Sequence, residues 1–520
     1  MVGALEAPSP PHIEASGVQA RRPGLRLAAS SRQMLLLAAV LALAFWLGTH
    51  DLAAQSIWPD EGYSWNISGQ SLAAITQNTL SDQIHVPGYY FLLHYWMKAA
   101  GDSTFTMRLM SVFGAVLTVA ALASLVRRLA GFRTGLLASL LAAAHPLLLY
   151  YAQEARMYSL LLGAVLIELR LLIMCLDRPT RWRWTAYGCA VAASLYIHYT
   201  AVVVLPVCAL LPWLLGRKEP RLQVANLAAI GAACTLFAPW ALFGIREFDA
   251  FAPVTAATVS LGRWLSDFAL AFNTGEMTFE IRQQVAATPP PWAFTVFVAA
   301  LGLLAAWKAR SRAVWLALFL IPSAAVIGIA LAGRDFAPRY AIAGILGYIP
   351  LVALGLGALP GLAVRALATC LVLSGFGWCD WLYFTSPAFQ RQDFRGAVAD
   401  AVQHAAAGDA IVLLNAAPLR PIWRYYAPPG LTPVSLPRPL PTDGAAFDQA
   451  MRGAIGSSDH VELMLWQDFG EDPQHRVRQW LEMNGHRVEG WGSGEIAVYG
   501  YFMGDPFPPS PPEGLRPVNA

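Results

Sequence analysis

The chain has 520 residues, of which 56% are hydrophobic and only 13% charged, and its mean hydropathy is +0.46. That composition lies outside the soluble globular range and indicates an α-helical polytopic membrane protein. The formal net charge of +3 is scattered in short clusters between apolar runs, which excludes the single basic face that nucleic-acid binding requires.

Residues 1–33 form a polar tail carrying Arg21, Arg22, Arg26 and Arg32, followed by a first apolar run near 34–50. Ala53-Ala54 would suit signal cleavage, but 33 residues are long for a signal n-region, which favours an uncleaved span. Further runs able to cross a bilayer lie near 107–126, 135–151, 158–176, 184–197, 200–216, 223–244, 293–309, 313–332, 340–357 and 362–383, making eleven. Gly88–Ala100 is short, follows Pro87 and is rich in Tyr and Trp, as expected of a helix lying on the membrane surface.

Parity supports that choice. With eleven spans and the N-terminus inside, Arg127-Arg128-Arg133, Arg178-Arg181-Arg183, Arg217-Lys218-Arg221 and Lys308-Arg310-Arg312 all face the cytoplasm. A twelfth span at 88–100 would turn every cluster outward. The outer side then carries loop 51–106 with surface helices, short loops at 152–157 and 333–339, the long loop 246–292, and everything after the last span.

Residues 34–383 are thus a membrane domain and 384–505 a separate polar domain, expected on the extracytoplasmic side of an inner membrane. Strand-like runs at Ala410–Leu414, Val461–Leu465 and Glu495–Tyr501 alternate with helix-like segments at Asp393–Ala407 and Pro473–Asn484, predicting a small α/β module. Residues 506–520 are a Pro-rich tail. All six cysteines fall in or beside spans, so no disulfide framework or cysteine metal site is implied. Walker, Rossmann and zincin motifs are absent, and no tandem repeat is visible.

Two acidic sites fall on the outer face, Asp60-Glu61 in the first outer loop and Glu154 in the second, so one cavity can hold both. Each has a plainer reading. Asp60-Glu61 would be favourable at any helix N-terminus, and Glu154 and Arg156 could neutralise each other or neighbours. Charges at membrane depth are nonetheless functional candidates. His85, His198 and the arginines Arg334 and Arg339, the latter beside Tyr340, lie on the same side, and arginine suits phosphate through paired hydrogen bonds. A histidine beside proline also caps or packs, an arginine at a span end also anchors, and no tight spacing supports a metal site.

Taken in order, Pro59-Asp60-Glu61, His85-Val86-Pro87-Gly88-Tyr89-Tyr90, Phe105-Thr106-Met107-Arg108-Leu109 and Gln153-Glu154-Ala155-Arg156-Met157-Tyr158 resemble bacterial GT-C glycosyltransferases of the protein mannosyltransferase and aminoarabinose transferase type. The resemblance is strongest over 55–165, continues through Arg339-Tyr340, and extends to Gln392–Ala397 and Gly408–Val412. One departure is His85-Val86-Pro87, where many members carry His-Pro-Pro.

The resemblance implies a GT-C-like membrane domain and transfer of a sugar from a polyprenyl-phosphate donor to a lipid, polysaccharide or protein acceptor. In such a reaction a carboxylate takes the acceptor proton. Asp60 is expected in that role, with Glu61 orienting it or the acceptor. Arg339, or Arg156 or Arg334, would stabilise charge on the lipid phosphate. Glu154 would bind sugar hydroxyls or hold Arg156, and His85, Tyr158, His198 and Tyr340 would line the substrate site. No obligatory metal or other cofactor is expected, although some relatives use a divalent cation. A transporter or flippase for a lipid-linked glycan is the alternative, since membrane-embedded charges also mark transport paths, but no inverted repeat supports it.

Overall fold

The computed structural model describes residues 23–82, 85–247, 260–276, 285, 287–308, 311–331 and 337–503. Arg334 and the Pro-rich tail lie outside the described residues.

The chain begins with α1 (Pro23–Thr49). The first outer loop then folds into three short helices, α2 (Pro59–Ser68), α3 (Leu72–Asp82) and α4 (Pro87–Ala100). Proline opens both α2 and α4 at the first helical turn, where its fixed φ fits and its missing N–H costs nothing. α4 is the segment predicted to lie on the surface. It is a 14-residue helix packed on α2, α3, α5 (Thr104–Ala130) and α9 (Arg181–Ile197).

Between α5 and α9 run α6 (Phe132–Ala143), α7 (Pro146–Ala152) and α8 (Tyr158–Asp177). α6 and α7 form one apolar run bent by 60°. A short 3-10 turn (Tyr199–Val204) leads into α10 (Leu205–Leu214), followed by α11 (Pro220–Glu247), α12 (Leu261–Thr274), α13 (Pro289–Lys308) and α14 (Arg312–Leu331). A second 3-10 turn (Pro338–Gly344) enters α15 (Ile345–Ala358), and α16 (Leu362–Thr385) closes the bundle.

Over the described residues, each of the eleven predicted runs is mainly helical. Among the described residues, eight helices are long and apolar enough to cross a membrane by length and composition, nine if the bent pair is one span. The remaining two runs are shorter, α9 with 17 residues and the Tyr199–Leu214 segment. α5 packs against α1, α6 and α8, while α15 packs between α6, α13 and α14. The helices are apolar on all sides because each faces either a neighbour or lipid, so no polar stripe develops.

After α16 the chain forms the α/β module: α17 (Phe394–His404), β1 (Ala410–Leu414), α18 (Ala416–Tyr426), α19 (Gly444–Ile455), β2 (His460–Trp466), α20 (Arg476–Asn484), β3 (His486–Ser493) and β4 (Ile496–Phe502). The sheet order is β1-β2-β4-β3, with β1 and β2 parallel and the other pairs antiparallel. The parallel pair requires a crossover, and α18 and α19 supply it. α18 also packs directly on α2, so the module rests against the helix bearing the acidic pair.

Candidate active site

Asp60 and Glu61 occupy the first turn of α2, immediately after Pro59. Consecutive residues on an α-helix diverge by about 100°, so the two carboxylates point to different surroundings. Glu61 turns inward and is fully buried. Arg108 meets it as a two-pronged pair, Nε donating to Oε1 at 2.8 Å and Nη2 to Oε2 at 2.7 Å. The backbone N–H of Ala155 donates to Oε1 at 2.8 Å. Arg108 uses its remaining protons on the carbonyls of Leu52, Gln55 and Ser56, which fixes the loop segment leading into α2. Burial alone would push the Glu61 carboxyl up, but the Arg108 charge and its hydrogen bonds outweigh that and hold it below the usual carboxylate range.

Asp60 faces the other way, with a 34% exposed side chain whose Oδ2 lies 3.6 Å from Nη2 of the buried Arg156. Arg156 also donates from Nη1 to the Asp60 carbonyl at 3.3 Å and to Ser64 Oγ at 3.4 Å, and its Nη2 lies 3.4 Å from His85 Nε2. His85 is oriented from behind by Asp82, whose Oδ2 is 3.0 Å from Nδ1, and Tyr63 stacks on the imidazole with ring centroids 4.9 Å apart. The Tyr63 hydroxyl donates to the same Asp82 carboxylate.

Glu154 follows α7 in the tight loop that turns into α8. Its Oε1 accepts from Trp58 Nε1 at 2.9 Å, and its Oε2 has no partner among the described residues. Burial raises this carboxyl to about 7, with the Arg391 charge opposing and Glu61 reinforcing the shift. The Arg339 guanidinium, at the start of the second 3-10 turn, sits 5.9 Å from the centroid of the Trp58 ring and 5.6 Å from that of Tyr340. The Trp58 indole thus bonds Glu154 through its edge and faces Arg339 with its ring. Tyr158 and His198 pack with ring centroids 5.5 Å apart. His198 Nδ1 is 2.6 Å from Thr200 Oγ1, and burial followed by the nearby Arg156, His85 and Arg339 charges lowers its pKa to about 3.

The structure therefore gathers Asp60, Glu61, Glu154, His85, Arg156, Tyr158, His198, Arg339 and Tyr340 around one site. Glu154 bonds Trp58 while Arg156 pairs with Asp60, and the Glu154 and Arg156 charges still act on each other without a direct bond. Three buried polar atoms aimed at the site have no partner among the described residues: Glu154 Oε2, Arg156 Nε and Arg339 Nε. Most buried polar atoms are bonded, and an exception calls for an explanation, of which a catalytic role is one.

Two participants were given no role by the sequence reading. Arg108 carried a signal, a charge inside an otherwise apolar run. Arg391 carried none, being a polar residue in a polar linker. It donates to Tyr383 Oη at 3.0 Å and the Tyr150 carbonyl at 3.2 Å, lies over the Tyr150 ring, and acts electrostatically on Glu61 and Glu154.

The family model described as dolichyl-phosphate-mannose-protein mannosyltransferase matches residues 84–243. No curated protein matches the chain. Among solved structures, apo ArnT from Cupriavidus metallidurans superposes with a TM-score of 0.56 at 14% identity, over 91% of this chain and 98% of that one. The same protein bound to undecaprenyl phosphate gives a TM-score of 0.51 at 13% identity, with the same coverage of both chains. AglB from Archaeoglobus fulgidus, in complex with an inhibitory peptide and a dolichol-phosphate, gives 0.53 at 10% identity over 92% of this chain and 75% of that one. At these identities the superpositions establish a shared fold. Together with the family match they bear out the resemblance to GT-C glycosyltransferases of the mannosyltransferase and aminoarabinose transferase type.

Proposed function

We propose that the protein is a membrane glycosyltransferase that moves a sugar from a polyprenyl-phosphate donor to a lipid, polysaccharide or protein acceptor. The donor class is suggested by the lipid phosphates bound in ArnT and AglB. The reaction would take place at the outer face of the inner membrane, where the C-terminal module also lies. The observation that carries the reading is the division of labour within Asp60-Glu61. One carboxylate is saturated and buried, and its neighbour is open to the site beside a buried guanidinium.

Asp60 acts as general base. It takes the acceptor hydroxyl proton as that oxygen bonds to the anomeric carbon and the bond from that carbon to the phosphate oxygen breaks. The polyprenyl phosphate leaves as a weak base, so no general acid is required. Arg156 and Arg339, whose Nε atoms have no partner among the described residues, stabilise its charge, with Arg334 as a further candidate. Glu61, held by Arg108, positions Asp60 through α2 rather than touching substrate. Glu154 accepts from sugar hydroxyls, and His85, Tyr158, His198 and Tyr340 line the donor side. With two guanidinium groups supplying positive charge, no obligatory metal is invoked, and chelation is expected to leave the rate unchanged.

Asp60→Asn preserves shape and removes the base. In purified protein given polyprenyl-phosphate sugar and acceptor, the transfer rate should fall by about 10²–10⁴, the usual worth of general-base catalysis, with folding intact. Transfer at the unaltered rate sinks the assignment. Wild-type protein that moved labelled lipid across vesicles but transferred no sugar would establish the flippase instead.

A further inference from the structure

A second charged cavity lies at the opposite end of the bundle from the acidic pair. Arg108 is in the second turn of α5 and Arg127 near its end, about 19 residues and hence roughly 28 Å further on. There α1, α5, α6 and α8 enclose a cleft of about 590 Å³. Its apolar wall includes Leu37, Ala120 and Ala123, and its polar rim is Gln33, Arg127, Arg128 and Arg170. Among the described residues no carboxylate lines it.

The three arginines are not equivalent. Arg128 is already bonded to Asp177, which Arg217 shares. The side chains of Arg127 and Arg170 make no hydrogen bond or ion pair to any described residue. Arg170 is half-buried seven residues before the end of α8, about 10 Å inside the span, where an unpaired charge is costly. The frame around it is rigid. A Cβ on Gly135 of α6 would stand 2.9 Å from the backbone nitrogen of Arg127, so the two helices touch backbone to backbone at the rim.

From this the geometry points to a binding site for an anionic glycerophospholipid of the leaflet at this end, which the positive-inside pattern makes the cytoplasmic one. The phosphate would sit between Arg127 and Arg170, and an acyl chain would run along the Leu37–Ala120 wall. A soluble anion would use the rim but leave the apolar wall bare. Basic pockets between helices on the cytoplasmic side are the recognised setting for anionic lipid headgroups. The inference is independent of the reaction proposed above.

The test uses the full-length protein, delipidated, reconstituted with phosphatidylglycerol or phosphatidylethanolamine, and read by native mass spectrometry. Wild-type protein should retain phosphatidylglycerol under activation that strips phosphatidylethanolamine. Arg170→Gln should reduce retention about tenfold, the worth of one charge-assisted hydrogen bond, and Arg170→Lys should keep most of it. Arg127→Gln, at an exposed position where folding is not at stake, should lower it as well. Arg365→Gln, an exposed arginine at the start of α16, should change nothing. Polyprenyl phosphate should compete poorly. Equal retention of both phospholipids by wild type, undiminished retention by Arg127→Gln, or preferential uptake of polyprenyl phosphate would each overturn the proposal.

Discussion

Behind α2, Glu61 and Arg108 form a closed region in which every carboxylate and guanidinium atom is spoken for; in front of it, Asp60, Glu154, Arg156 and Arg339 form an open one with polar atoms left unbonded. Both regions are built from the same residue types within one site. The closed side has hydrogen bonds to surplus and the desolvation cost of burying its charges is offset by geometry. The open side accepts an unfavourable state that a bound substrate would relieve. Adjacent acids in the sequence have thus been given different surroundings by the 100° step of a helix.

The largest expected effect comes from breaking the closed side. Arg108→Met leaves Glu61 buried without its counter-charge and frees three backbone carbonyls, which should destabilise the protein by about 3–5 kcal/mol. Thermal unfolding in detergent checks this. Glu61→Leu combined with Arg108→Met should recover part of the loss but not all, because Leu52, Gln55 and Ser56 still lack their donor. Full recovery would mean the carbonyl bonds contribute nothing, and an unshifted single variant would mean the ion pair does not hold α2.

A smaller effect separates the two carboxylates by pH. Glu154 is raised to about 7 from an ordinary 4.5, so folding favours its protonated form. Its contribution is fully present below pH 4.5 and is lost as pH rises towards about 7. Glu61 is lowered, so its contribution is present above 4.5 and lost only as pH falls further. Wild-type stability measured relative to Glu154→Gln should therefore decline between pH 4.5 and about 7, while stability relative to Glu61→Gln should hold across that window. A flat difference for Glu154 would show that the open side carries no buried acid.

How far this was legible from the sequence depended on the range of the cause. The acidic pair, the helix after Pro87, and strands β1, β2 and β4 follow from local pattern, and all are present. β3 was missed because His486–Ser493 carries two glycines and no clean alternation of apolar residues. α18 was missed because Pro421 interrupts its pattern, although its α2-facing Ile422 is buried. The bonding of Glu61 joins residues 47 apart, and that of Arg391 to Gln55 joins residues 336 apart. No window of sequence contains either pair. Gly62 shows the same limit, since only the fold reveals that a Cβ there would meet Ile422 Cδ1 at 2.9 Å.

The docked module extends the closed side, and the smallest predicted effect tests whether that matters. Ser56 Oγ donates to the Gln392 carbonyl at 2.8 Å and accepts from the Phe394 N–H at 3.1 Å, while the Ile57 N–H donates to Tyr426 Oη at 2.7 Å. These bonds pin the two residues that precede Trp58, the partner of Glu154. Tyr426→Phe keeps the ring and leaves one buried N–H unmet, at a cost of about 1–3 kcal/mol. The loss should appear as faster proteolysis in the linker around residues 386–393. If the module serves only as ballast, transfer activity should stay at the wild-type level. If its docking holds Trp58 and through it Glu154, activity should fall along with protection, and the division between a closed support and an open site would then begin in the C-terminal domain.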